Sequence, residues 1–498
     1  MKFLFLDMSY SKWILETWIL LVTVLILIPI EIWAQFPSTD GLTTSFDYYE
    51  MRREFNPRVL ETIDQGLRWL EIQQGSNGLF HNHLGITALV IAAFLKHPEK
   101  KYSEATHQFI RKSINVLIKN QNPDDSICDL SKEEMAFPSY TTSVSLIALA
   151  ATENNYYHSI IKDARNFLKS LQMADDLNNR YYGGISYGNP SNDHYDLSNL
   201  SFAIQALEDT NSYAIEVLPE EEPADRTSYR VGQIVYHSRF GRGRIKKAFF
   251  ETGSFTVRFD RTGEKTLMAE EYANLRGGYN DKAFFVKAVQ FIERCQSNRN
   301  NSKEWAEEDR TVSTDLQNHG GFVYSSSGES KTGTKGRPYG SMAYAGLLGL
   351  IHAGISEDDD LIQGVYEWIR KNYTVEVNPG MDLNKGQQGI YYYYYTMATS
   401  LAAFEKIRTT MRGRITETKS HFWFKDLAEK LIELKIKDVV VARQDIPDPA
   451  RLGQLLFKKG DAVELAYWRN KAGQWMERDT VLVTAYAILA LEAGLSTE

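Results

Sequence analysis

The sequence predicts an all-α protein, a six-hairpin α/α toroid interrupted by one small inserted β-barrel. Three observations predict it. A unit of helix, glycine-aromatic loop and helix recurs six times along the 498 residues; the second helix of each unit carries far less charge than the first; and one second helix opens on five consecutive tyrosines, Tyr391 to Tyr395. At about 100° per residue, five successive side chains point all the way round a helix, so that helix needs neighbours on every side.

The units follow in chain order. In the first four, a helix ends in an aromatic or apolar residue five positions before a glutamine: Trp69/Gln74, Val116/Gln121, Phe167/Gln172 and Phe291/Gln296. The fifth and sixth, "VYEWIRKNYT" at 365 and "LAEKLIELKI" at 427, keep the helix and lose the glutamine. Glycine-aromatic loops follow as "NGLF" (77), "YYGGISYG" (181), "NHGGFVYS" (318) and "AGQW" (472). The second helices are "ITALVIAAFL" (86), "TTSVSLIALAA" (141), "LSFAIQALE" (200), "SMAYAGLLGLI" (341), "YYTMATSLAAF" (394) and "LVTAYAILALEAG" (482). Such self-similarity governs the whole architecture. The apolar second helices form an inner layer and the charged first helices an outer one. Six hairpins closed on themselves leave a central cavity lined by the inner helices, with the tyrosine run packed on outer helices behind, on neighbours at both sides and on the cavity in front. An open solenoid is the alternative, and neither terminal repeat has the polar capping helix that a solenoid requires.

Repeat spacing exposes an insertion. The inner-helix landmark recurs at Ala93, Ala148 and Ala206, about 55 residues apart, and next only at Gly349. The acidic, proline-containing "VLPEEEPADR" (217–226) reads as a linker. Behind it, "QIVYHSRFGRGRIKKAFF" and "SFTVRFDRTGEKTLMAEEYANL" read as four or five short strands with glycine turns. The domain division is therefore 54–217 for repeats one to three, 219–277 for the barrel and 280–496 for repeats four to six. The polar stretch 298–317 and the glycine/serine-rich 325–338 read as loops beside one mouth of the cavity, the latter flexible.

Composition narrows function. A 43% hydrophobic, 24% charged chain has ample core, and a net charge of −8 with pI near 5.8 provides no global basic field, so no nucleic-acid partner is expected. Residues 1–34 read as a signal peptide or N-terminal anchor, with Lys2 and Lys12 before the apolar run Ile19 to Ile30 and Ala34 at a cleavage point; a buried helix is the remaining alternative. Export to the periplasm or cell envelope follows, with membrane association through this segment if it is retained. Two cysteines, Cys128 and Cys295, are too few for a disulfide framework.

The helix pairs with their glutamines and glycine-aromatic loops resemble the terpenoid cyclase and protein prenyltransferase superfamily. "HGGFVYSSSGESK", "RPYGSMAYAGLLGLIHAG", "WIRKNYTVEVNPGM" and "GIYYYYYTMATSLAAFE" resemble exported bacterial proteins with prenyltransferase/squalene-cyclase repeats. The resemblance covers 54–217 and 280–496 and implies an isoprenoid or other apolar small molecule in the cavity. The inserted "VGQIVYHSRFGRGRI", "FTVRFDRTGEKTL" and "YANLR" resemble the Tudor-like, SH3-like module of DNA-repair helicases. This implies an SH3-like barrel and, on an exported chain, a protein partner bound through 219–277.

The familiar chemistry of that superfamily lacks its residues here. Alkene protonation uses an Asp-x-Asp-Asp motif, and the nearest acidic run, "SEDDDL" around Glu357 to Asp360, precedes an outer helix where acids cap. Neither cysteine stands in the Asp-x-Cys context of a zinc-bound thiolate, and "PDDSICD" at 123–129 reads as a loop, so no metal and no cofactor are expected. What remains is a cluster at the starts of the inner helices. "NDHYDLSN" supplies Asp193, His194, Asp196, Ser198 and Asn199, with His194 and Asp196 as the first acid/base pair and Asp479 as a third catalytic candidate. His81, His83, Tyr140, Asn199, Tyr339, Ser341, Tyr344, Tyr392 and Tyr394 complete the expected mouth and cavity lining. A purely structural role competes, with Asp196 and Asp479 capping helices and Asn199 bonding a loop. So do two other functions: a noncatalytic envelope scaffold whose barrel binds a partner, and a carbohydrate-active site.

Overall fold

A computed structural model describes residues 40–131, 137–176, 178–188, 194–213, 234–237, 241–249, 254–259, 263–267, 275–277, 281–297, 317–407, 422–447 and 455–496. The signal or anchor segment 1–34, the linker 217–226, Asp193 and all of the loop 298–317 except Gln317 lie outside these residues. Two compact units divide at Pro57: Met1–Pro57 and Arg58–Glu498. Of the first, residues 40–57 are described, as the opening part of a helix, α1 (Asp40–Glu71).

The protein is mostly helical, about 53%, with small antiparallel sheets. After α1, the second unit holds α2 (Leu84–Leu95), α3 (Gln108–Lys119), α4 (Pro138–Ala151), α5 (His158–Ser170) and α6 (Leu197–Asp209). Beyond the inserted strands come α7 (Lys282–Cys295), α8 (Gly340–His352), α9 (Asp360–Asn372), α10 (Ile390–Ile407), α11 (Trp423–Leu434) and α12 (Thr480–Leu495). The even-numbered helices are the apolar second helices of the units. All residues of α2 are buried, whereas α3 buries Ile110, Ser113, Ile114 and Leu117 at helical spacing and turns its charges outward. In contact order, α2 packs on α4, α4 on α6, α6 on α8, α8 on α10, α10 on α12, and α12 back on α2.

The recurring glutamine ties each unit to the next. Gln74 Nε2 donates to Phe109 O (2.8 Å), Gln172 Nε2 to Phe284 O (3.0 Å) and Gln296 Nε2 to Leu361 O (2.9 Å), in each case reaching backbone of the following odd-numbered helix. The loop glycine makes that approach feasible. Gly183 and Gly320 both adopt φ of 86°, and a Cβ there would lie 1.8 Å from Lys287 O and 1.9 Å from Gly364 O, so only glycine fits.

The insertion leaves and returns at one buried ion pair. Arg165 on α5 is 2% exposed and donates to Leu207 O (2.6 Å) at the end of α6, while its other nitrogen bonds Asp281 just before α7. Lys169 adds a second contact to Asp281 at 3.1 Å. Charges so buried persist because they are paired.

The inserted strands are β1 (Ile234–His237), β2 (Gly241–Phe249), β3 (Ser254–Phe259), β4 (Gly263–Leu267) and β5 (Leu275–Gly277), an antiparallel sheet in the order β4-β3-β2-β1-β5. Ile245 faces Val257 and Phe255 faces Leu267 across the ladder, and all four are buried, giving the sheet one apolar face.

Two expectations are corrected. A second β excursion lies inside the sixth repeat: β6 (Ile436–Val441), β7 (Ile446–Pro447), β8 (Leu455–Phe457) and β9 (Ala462–Tyr467), where β6 pairs with β9 and β7 with β8. The segment "IKDVVV" is β-branched and adopts the strand, which ends α11 at Leu434. The loop 325–338 is packed rather than flexible: Ser325 and Thr332 are fully buried, Gly336 N donates to Gly328 O (2.8 Å), and Arg337 pairs with Asp382 (2.8 Å).

Candidate functional site

The starts of the inner helices position the polar groups. Asp196 is the N-cap of α6: its Oδ1 accepts from Asn199 N at 2.8 Å. The side chain is fully buried, and among the described residues Oδ2 accepts no hydrogen bond. Nothing about capping requires that second oxygen to be left open. His194 Nε2 stands 3.9 Å from it and 3.4 Å from Glu329 Oε2.

Two tyrosines hold the imidazole. The His194 ring lies 5.7 Å from that of Tyr324 at 30° and 5.8 Å from that of Tyr187 at 37°, and the two tyrosine hydroxyls meet at 2.8 Å. Backbone bonds fix this arrangement: Leu197 N, the first residue of α6, donates to Tyr324 O (2.8 Å), and Asn199 Nδ2 donates to Ser186 O (3.0 Å). Tyr324 is also covered by Lys331, whose Nζ sits 4.1 Å from the ring centre and pairs with Glu329 Oε1.

Burial sets the electrostatics. It pushes the Asp196 carboxyl above its usual range, against the Asn199 N–H, the nearby tyrosine hydroxyls and His194, which pull it down. Tyr187, Tyr324 and Tyr339 are driven far up by burial and, in turn, by the Asp196 charge. Tyr392 is raised in the same way, with its hydroxyl accepting from Ser198 Oγ at 2.9 Å. Cys295 is buried beside the same carboxylate and is raised as well.

Beneath the mouth, aromatic rings meet across the cycle of helices. Tyr140 of α4 reaches Tyr486 of α12, hydroxyl to hydroxyl, at 3.3 Å, and Phe202 of α6 stacks on Tyr392 (5.8 Å) and Tyr395 (6.1 Å) of α10. Neither pair joins helices consecutive in the cycle. Burial holds the Tyr140 phenol up at about 12.

The remaining expected residues divide. Tyr339, 3% exposed, is the N-cap of α8 and senses Asp196. His83 caps α2 through Nδ1, which accepts from Ile86 N (3.3 Å). Asp479 caps α12, accepting from Val481 N (2.9 Å) and Leu482 N (3.1 Å), and its Oδ2 meets His81 Nδ1 at 2.8 Å. Ser341 bonds Asn378 and serves the start of α8. Tyr344 and Tyr394 turn away from the mouth: Tyr394 donates to Val375 O (2.7 Å) behind α9, and Tyr344 packs on Tyr393 (5.7 Å), whose hydroxyl reaches Thr374 O (2.6 Å). The tyrosine run thus serves both sides of its helix, with Tyr392 and Tyr395 toward α6 and Tyr393 and Tyr394 toward the segment after α9.

Tyr187, Tyr324 and Glu329 were not anticipated. The first two carry a readable signal, because "GGISY" (183–187) and "GGFVY" (320–324) place a tyrosine at the same step of repeats three and four. Among the described residues, no group of three or more His, Cys, Asp or Glu side chains is arranged to hold a metal ion, and no helix is long and apolar enough to cross a membrane. No family model matches the chain, and neither the curated proteins nor the solved structures contain a match to it.

Proposed function

We propose that the chain is an exported six-hairpin α/α toroid with an inserted SH3-like barrel, and that it binds or transforms an isoprenoid or other apolar ligand at the mouth around Asp196. One observation carries this reading: a fully buried carboxyl with one oxygen open, beside a histidine and among tyrosines from two neighbouring repeats. Burial favours the protonated acid. Such an acid donates its proton to an electron-rich carbon–carbon double bond, and the tyrosine faces meet the positive charge that forms on the ligand. The rings that meet across the cycle favour a ligand seated above them. The resemblance to terpenoid cyclases and the contact cycle α2 through α12 support the toroid, and the sheet order with β5 beside β1 supports the barrel.

The test is mass spectrometry of organic extracts of the purified protein, followed by incubation with polyprenyl compounds. A stoichiometric isoprenoid, or a product formed by wild type and lost in Asp196→Asn, supports the reading; clean extracts and no conversion sink it. A second reading has its own observation. The aromatic contacts across the cycle and the sheet interrupting the repeats fit a rigid scaffold that carries a partner-binding module. Deleting 219–277 and finding every pulled-down partner still bound would remove it.

A further inference from the structure

We propose that Glu329 supplies protons to Asp196 through His194 Nε2, which makes Glu329 a positioning and proton-supplying residue behind the buried acid; this rests on the reading of Asp196 as the acid. The geometry assigns each atom a part. Asp196 is fully buried, so solvent does not reach its open oxygen directly. Glu329 is 35% exposed and His194 33%, and the same ring nitrogen, Nε2, faces Glu329 Oε2 at 3.4 Å and Asp196 Oδ2 at 3.9 Å. Lys331 holds the other Glu329 oxygen, Oε1, which leaves Oε2 for the histidine. The carrying loop is itself pinned, since Tyr324 N (2.9 Å) and Ser325 N (3.3 Å) both donate to Glu329 O.

Both gaps exceed a hydrogen bond, so each transfer needs an approach of about 0.5–1 Å, within reach of a small swing of the imidazole. In the first step the Glu329 Oε2–H bond breaks and Nε2–H forms. In the second, Nε2–H breaks and Asp196 Oδ2–H forms, restoring neutral imidazole. Glu329 then takes a proton from water. Competing carriers around the acid are phenols and a thiol, Tyr187, Tyr324, Tyr339, Tyr392 and Cys295, all pushed upward by burial and so neutral when Asp196 titrates.

Infrared spectroscopy after a rapid downward pH jump tests this on the full chain without any substrate. The protonated-carboxyl band that Asp196→Asn abolishes identifies Asp196; asparagine keeps the helix cap. Glu329→Gln and His194→Phe are each expected to slow the appearance of that band at least tenfold while leaving its final amplitude unchanged, and Glu329→Asp is expected to recover part of the rate. An unchanged rate in Glu329→Gln overturns the route and leaves Asp196 as the acid. A wild type with no band that Asp196→Asn removes overturns both.

Discussion

Two carboxyl groups are buried at the starts of inner helices, Asp196 before α6 and Glu477 before α12, and the fold satisfies them in opposite ways. Glu477 is 1% exposed, and its oxygens accept from Tyr392 N (2.7 Å), Tyr391 N (3.3 Å) and Asn470 Nδ2 (2.5 Å), so it caps the tyrosine helix α10 from a neighbouring repeat. Asp196 is at least as buried, caps only its own helix, and keeps one oxygen open. A buried carboxyl whose oxygens are engaged is part of the frame. One with an unengaged oxygen is costly to keep and is therefore where chemistry is expected.

The sharpest way to break this contrast is catalytic. Asp196→Asn is expected to lower conversion of a polyprenyl substrate by about 10²–10⁴-fold, the usual contribution of a positioned acid. Asp479→Asn, at a cap that is 21% exposed, should leave it within about threefold, on the view that a cap acts on stability rather than on proton transfer. Equal losses would mean that the two caps are alike and that Asp196 has no special role.

The next largest effect is on stability against pH. Burial first, against its backbone and Asn470 donors, pushes the Glu477 carboxyl from 4.5 to about 7. An acid raised on folding binds its proton more tightly in the folded state, so the stability it contributes is complete below pH 4.5 and is lost as pH rises through 7. The shift corresponds to roughly 3 kcal/mol. Urea denaturation of Glu477→Gln across that window should show a flatter dependence on pH than wild type. Asp196 is raised too, so its contribution has the same sign and begins to fall at 3.8; Asp196→Asn should flatten the curve from that lower limit.

A smaller contrast concerns the caps. Asp479→Ala removes two good backbone bonds and is expected to cost about 1 kcal/mol. Asp196→Ala removes one bond together with the open buried oxygen, so the relief of that oxygen offsets part of the lost cap and the cost falls below that of Asp479→Ala. Chemical denaturation of both variants at one pH gives the ranking, and the reverse order would mean that Asp196 Oδ2 is satisfied in solution.

The frame was more legible than the site, for a physical reason. Helix periodicity, the glutamine at fixed offset and the paired glycines are local signals, and each corresponds to a bond or a close approach that recurs between units, as Gln172 and Gln296 show. The site is assembled from different repeats. Asp196 and His194 sit in one stretch and could be read together, but Glu329 reaches them from a loop whose serines and glycines read as flexible, and nothing local marks it. Tyr344 and Tyr394 were expected at the mouth because tyrosine on an inner helix is ambiguous: which way each ring turns depends on where a neighbour offers an acceptor, and Val375 O lies on the outer side. The β6–β9 ribbon shows the same limit from the other direction, since a helix-like charge pattern through "LAEKLIELKI" runs without a break into a β-branched strand.

The smallest expected effect isolates the half-exposed histidine of the second pair. His81 adopts φ of 49°, a left-handed conformation that costs a non-glycine residue about 1–2 kcal/mol. Its contact with Asp479 lies near the surface, at 40% and 21% exposure, where an ion pair is worth about 0–1 kcal/mol. His81→Gly therefore loses a weak pair, gains relief of backbone strain, and gives back about 0.5–1 kcal/mol through the freer unfolded chain. These terms nearly cancel, and the unfolding free energy should stay within about 0.5 kcal/mol of wild type in urea titrations. A loss above about 1.5 kcal/mol would show that the His81–Asp479 pair supports the start of α12 more strongly than its exposure allows, and would close the distance between the two aspartates.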